Sequence, residues 1–161
     1  MNVLDFAMKI ELQGKAYYEN MAASAGVPGL KTIFTELAAD EQRHYDVLRG
    51  LKKGETWGMA DSRAVEHARS VFTELLRDPN AAAGLHETLD VYRLALKVEA
   101  ESVKLYEDMA KKEEDPVIVQ LYLTIANEEK KHYNVVENIC DFVTRPKYYL
   151  AWREFSNLDE L

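Results

Sequence analysis

The sequence predicts an all-α fold, an antiparallel four-helix bundle made of two helical hairpins, and three observations lead there. Glycine and proline are scarce, seven and four in 161 residues, which favours long uninterrupted helices over a turn-rich β fold. Apolar residues recur at intervals of three and four along four long stretches, the signature of amphipathic helices. The chain also repeats itself at a constant offset of 88 residues, so whatever the first hairpin is, the second should be the same. With 47% apolar and 30% charged residues, residues 1–161 have the size and composition of one soluble domain.

The elements follow in order. Leu4, Ala7, Met8, Glu11, Tyr18, Met21 and Ala22 share one face of a first helix over about 2–25. Val27-Pro28-Gly29 reads as a break, and a second helix is expected from about 30 to 53 on the stripe Leu30, Ile33, Phe34, Leu37, Glu41, His44, Leu48 and Leu51. Gly54 ends it. A shorter helix fits 62–77, capped by Asp61-Ser62 and stopped by Asp78-Pro79-Asn80. The third long helix is expected over about 83–112, with Tyr92, Ala95, Leu96, Glu99, Val103, Tyr106 and Met109 inward. Asp115-Pro116 is a start signal, an acid at the cap followed by proline at the first helical position. The fourth helix then runs to about 143 on Ile118, Leu121, Tyr122, Ile125, Glu129, His132, Val136 and Ile139. Pro146 breaks it, and 148–155 reads as a short amphipathic helix in a tail over 146–161. Short loops make each helix pair an antiparallel hairpin. The crossover, 54–83, is long enough to run back along the bundle with the 62–77 helix as part of it.

The repeat pairs residues 3–49 with 91–137 without a gap and gives fourteen identities over those 47 positions. Among them Glu11 meets Glu99, Tyr18 meets Tyr106, Glu41 meets Glu129 and His44 meets His132. A shared helical pattern accounts for matching apolar positions. It does not account for Glu and His recurring inside apolar stripes, because a buried carboxylate costs several kcal/mol unless something compensates it.

Glu41 and His44 lie three apart, one turn above each other on a single helix face, and Glu129 and His132 do the same. Glu11 and Glu99 add one inward carboxylate each. Two hairpins facing each other bring all six groups to one level of the core. Four carboxylates carry a charge that two divalent cations would neutralise. Oxygen-rich ligation with one imidazole per metal suits iron or manganese better than the sulfur- or histidine-rich sets of structural zinc sites. The competing reading is a duplicated bundle whose acids serve only in buried hydrogen bonds.

Glu11, Glu41-Gln42-Arg43-His44, Glu99 and Glu129-Lys130-Lys131-His132 together resemble the pattern of the ferritin-like di-iron carboxylate superfamily, one glutamate from each of two helices and Glu-x-x-His from the other two. The resemblance covers roughly 3–143 and is greatest to the rubrerythrin type. It implies a ferritin-like bundle holding two iron ions per chain, for which manganese or zinc could substitute. It also implies that Glu41 and Glu129 bridge the metals, with Glu11 and His44 on one side and Glu99 and His132 on the other. Tyr18 and Tyr106 lie two turns beyond their helices' glutamates and are placed to donate to a ligand carboxylate, unless they are core filler. Asp40 and Glu128, four residues before the histidines, are placed to orient an imidazole or else face solvent. The chain departs from the family pattern in three places. Ser102 stands where a further glutamate is expected. No Cys-x-x-Cys module is present. Gln42 stands where bacterioferritin has its haem-ligating methionine, so haem is not expected.

The activity this implies is reduction of hydrogen peroxide or O₂, the metals accepting the oxidant and a separate protein such as a rubredoxin supplying electrons. A ferroxidase or iron-storage role and a non-catalytic metal-stabilised bundle are the alternatives. The net charge of −8 argues against nucleic acid or an anionic membrane as main partner. No run of 18 apolar residues and no leader pattern are found, and the single cysteine, Cys140, fits a reducing compartment, so the cytoplasm is the expected location. His67 and His86 read as surface residues, and Met8, Met21 and Met109 as packing. Trp57 and the aromatics Tyr148, Tyr149, Trp152 and Phe155 could pack against the bundle or make a subunit interface; the interface is slightly favoured, and a homo-oligomer, a dimer most simply, is the expected assembly.

Overall fold

A computed structural model describes residues 2–55, 68, 70, 71 and 89–144. The core of the expected crossover and the expected tail helix at 148–155 lie outside the described residues, as do the first six residues of the expected third helix. Within them the chain forms four long helices and no strand: α1 Val3–Ser24, α2 Pro28–Lys52, α3 Leu89–Lys112 and α4 Pro116–Thr144. No helix among the described residues is long and apolar enough to cross a membrane.

Local chemistry sets the ends. Asn2 caps α1, its side-chain oxygen accepting from the Asp5 N–H at 2.8 Å. Asp115 does the same for α4, accepting from the Val117 N–H at 2.9 Å. Pro28 opens α2 two residues earlier than its apolar stripe suggests. Its ring presets a helical φ, and the N–H it lacks is one that a first helical turn leaves unbonded in any case. Gly54 closes α2 in the left-handed conformation, φ 74°.

α1 packs along α2, and α3 along α4, as two hairpins that then face each other. Ala68 and Val71, helical and buried, join the core beside the start of α2. The chain approaches Gly29 so closely there that a Cβ would stand 2.5 Å from the Val71 side chain. The apolar core is in two parts. One gathers Tyr18, Leu30, Ile33, Phe34, Leu37, Tyr92, Val136, Ile139 and Phe142. The other gathers Ala7, Leu48, Tyr106, Met109, Leu121, Tyr122 and Ile125. Between them lies a layer of acids and histidines.

Candidate metal centre

Six side chains from four helices make up that layer: Glu11 from α1, Glu41 and His44 from α2, Glu99 from α3, and Glu129 and His132 from α4. None is more than 4% exposed. They form two overlapping groups, Glu11, Glu41, His44 and Glu129 in one and Glu41, Glu99, Glu129 and His132 in the other. Within each group one donor atom per residue lies within 4.8 Å of the rest. Glu41 and Glu129 belong to both.

The contacts obey the 88-residue offset. His44 Nδ1 lies 3.3 Å from Glu11 and 3.3 Å from Glu129. His132 Nδ1 lies 3.5 Å from Glu99 and 3.1 Å from Glu41. The two imidazoles face each other nearly parallel, 6.0 Å between centres. Both turn Nδ1 into the cluster and Nε2 away from it. His44 Nε2 is 3.2 Å from Glu128, and His132 Nε2 is 2.8 Å from Asp40. Each orienting acid therefore serves the histidine of the opposite hairpin. Such a contact holds the proton on Nε2 and leaves the Nδ1 lone pair free to bind a cation. Arg43 pairs with Asp40 from the outer side.

The tyrosines are exchanged in the same way. Tyr18 of the first hairpin donates to Glu99, and Tyr106 of the second donates to Glu11. Both phenols are buried, Tyr18 standing edge-on to the His132 ring at 6.3 Å. Two small residues complete the shell. At Gly14 a Cβ would stand 3.3 Å from the Glu41 carboxylate, and the Ser102 hydroxyl lies 3.5 Å from Glu129 Oε1. The sequence held a signal for this pair: Gly14 and Ser102 are equivalent under the repeat, three residues after Glu11 and Glu99.

With so many acids in so little water, the layer holds on to protons. Burial raises the Glu41 carboxyl well above the usual range, and Glu129 and Glu11 add to it. Glu99 is pushed up to about 8, first by burial and then by Glu129. Burial would raise Glu129 too, but His132 and His44 outweigh it and hold that carboxyl well below the usual range. Burial pulls the imidazoles down, yet Glu11, Glu128 and Glu129 raise His44 well above its ordinary value. Asp40, Glu129, Glu41 and Glu99 do so for His132. The two phenols are raised by burial first, then by Glu99 for Tyr18 and by Glu11 for Tyr106.

A cation could do what those protons do, and the donors suit one. They are hard oxygens with one imidazole nitrogen per group, and Glu129 Oε2, buried, accepts no hydrogen bond among the described residues although His132 Nδ1 lies 3.3 Å away. The residues fit metal binding. The family model described as Rubrerythrin matches residues 2–140, a span holding the whole cluster, both tyrosines and both orienting acids. Neither the curated proteins nor the solved structures return a match.

Proposed function

The chain belongs to the rubrerythrin family, and from that premise we propose that it is a non-haem di-iron oxidoreductase reducing hydrogen peroxide or O₂ with electrons from a separate donor protein, a rubredoxin for example. The observation that carries this reading is the pair of four-residue groups sharing Glu41 and Glu129. Those two carboxylates would be shared by two irons, with Glu11 and His44 holding one and Glu99 and His132 the other. Four carboxylates balance two divalent cations, so the layer's charge is compensated without protons.

A bound ferrous pair would supply two electrons, which with two protons reduce hydrogen peroxide to two waters. The rest is done by the chain. Glu128 and Asp40 hold the His44 and His132 rings in the orientation that presents Nδ1. The hydroxyls of Tyr18 and Tyr106, hydrogen-bonded to Glu99 and Glu11, keep a proton beside each outer carboxylate. The two apolar core halves keep bulk water out from above and below.

Anaerobic loading with ferrous iron, followed by stopped-flow mixing with hydrogen peroxide, tests the proposal. A rise in ferric absorbance much faster than in oxidation of free iron, and turnover when reduced rubredoxin is added, are expected. Oxidation that releases iron or builds a mineral without turnover would favour the second reading, iron handling. That reading draws on one observation: Ser102 in place of a further carboxylate leaves a six-residue set.

A further inference from the structure

Between α1 and α3, where the two hairpins also meet, lies an open cleft of about 330 Å³ whose walls include Phe6, Ile10, Tyr17, Val98, Ser102 and Leu105. Beneath it a far smaller space, about 10 Å³, borders Gly14, Glu41, Glu99 and Glu129. Ile10, Tyr17, Val98 and Ser102 line both. The outer cleft and the carboxylate layer are thus neighbours with one shared wall. Two small residues, Gly14 and Ser102, stand at its inner end beside Tyr17 and Tyr18. Gly14 leaves open a place where even a methyl group would press on the Glu41 carboxylate, and Ser102 is buried with its hydroxyl near Glu129. The inner space is about that of one water molecule.

We propose that this cleft is the route by which an oxidant reaches the cluster and that Ser102 sets its width, admitting a molecule as narrow as hydrogen peroxide or O₂ and turning away alkyl hydroperoxides. The oxidant's identity rests on the peroxide-reducing reading above; the route does not. The walls are apolar at Phe6, Ile10 and Val98, and the exposed Gln13, Asn20 and Glu101 line the cleft with them. A small uncharged guest suits this lining, whereas an ion would have to shed its water against the apolar residues and an anion would also meet the Glu101 carboxylate. Replacing Ser102 by a larger residue would fill the inner space, and replacing it by alanine would enlarge it.

Two measurements on the full chain test the route. In the metal-free, folded Ser102→Cys variant, methyl methanethiosulfonate should label the new thiol, as read by mass spectrometry of the peptide, while a polyethylene-glycol maleimide should not. Adding Leu105→Trp at the outer wall should slow the small reagent about tenfold or more, the size of discrimination that a close-fitting pocket gives. A thiol unreactive to the small reagent, or a rate untouched by Leu105→Trp, would overturn the route whatever the cluster's chemistry. In iron-loaded protein of matched metal content, Ser102→Leu should lower the rate with hydrogen peroxide about tenfold or more. Ser102→Ala should raise the rate with tert-butyl hydroperoxide relative to the rate with hydrogen peroxide. If Ser102→Leu and Leu105→Trp both react at the parent rate, the route is wrong. If the parent reacts with neither peroxide nor O₂, the functional reading fails and the labelling result still decides the route.

Discussion

Tyr18 donates its hydroxyl to Glu99, across the bundle from its own hairpin, and the repeat returns the gesture in the bond from Tyr106 to Glu11. The two hairpins are therefore tied through the groups proposed to do the chemistry, and neither half of the site is complete alone. Tyr18→Phe and Tyr106→Phe should each keep two irons, because only a hydroxyl goes and the ring stays packed. Each should slow oxidation of the ferrous protein by peroxide about 10-fold or more, where a positioned proton donor typically contributes about 10²–10⁴. Stopped-flow rates on samples matched for iron content check it; parent rates in both variants would make the phenols packing groups.

The orienting acids give a different signature. Asp40→Asn and Glu128→Gln should lower metal affinity roughly 10- to 100-fold, the usual cost of losing the partner that fixes a ligating histidine. Each variant should weaken the imidazole of the opposite hairpin, Asp40 acting on His132 and Glu128 on His44. Competition with a chelator reads the affinity, and the histidine NMR signals of the variants loaded with a diamagnetic divalent metal show which ring moves.

Much of this was legible in the sequence, and what was not has a physical reason. Glu11, Glu41, His44, Glu99, Glu129 and His132 stood out because each interrupts an apolar stripe, and the repeat made the interruption too regular to be a solvated face. Helix periodicity says which residues share a face; it is silent on what the facing helix brings. The crosswise pairing of Asp40 with His132 and of Glu128 with His44 was invisible for that reason. So was the closeness of the Glu41 carboxylate to Gly14, where a Cβ would stand 3.3 Å from it. The start of α2 at Pro28 could have been read from its repeat partner Pro116, whose role as a first helical residue is plain from the preceding Asp115. Without an acid before it, Pro28 looked like a break.

Without metal, stability should fall as pH rises from about 5 to 8. Glu99, whose carboxyl is raised from 4.5 to about 8, holds a proton in the folded chain that the unfolded chain has lost over that interval. Glu41, also raised, acts in the same sense. The stability that His44 and His132 gain as cations is full below their ordinary 6.5 and is lost as pH climbs through their raised folded values. Glu129, held below 4.5, adds a contribution that stays constant over this interval and is lost only as pH falls below 4.5. Urea midpoints of chelator-treated protein at pH 5.5 and 8 should differ in that direction, and metal should flatten or reverse the difference by replacing protons.

The packing at the start of α2 makes a prediction away from the cluster. Gly29→Ala would usually steady a helix by up to about 1 kcal/mol. Here the added methyl meets Val71 at 2.5 Å, so the variant should instead lose about 1–3 kcal/mol, the cost of overpacking. Thermal unfolding at fixed metal content reads the sign.

The most direct test of the central claim is the amount of ferrous iron bound per chain after anaerobic loading, in the parent and in Glu41→Ala side by side. The parent should hold two. Glu41→Ala should lose the pair, since the carboxylate common to both groups is gone and three carboxylates face four positive charges. A parent that binds no iron, or a Glu41→Ala variant that still binds two, would contradict the shared, bridged centre on which the account rests.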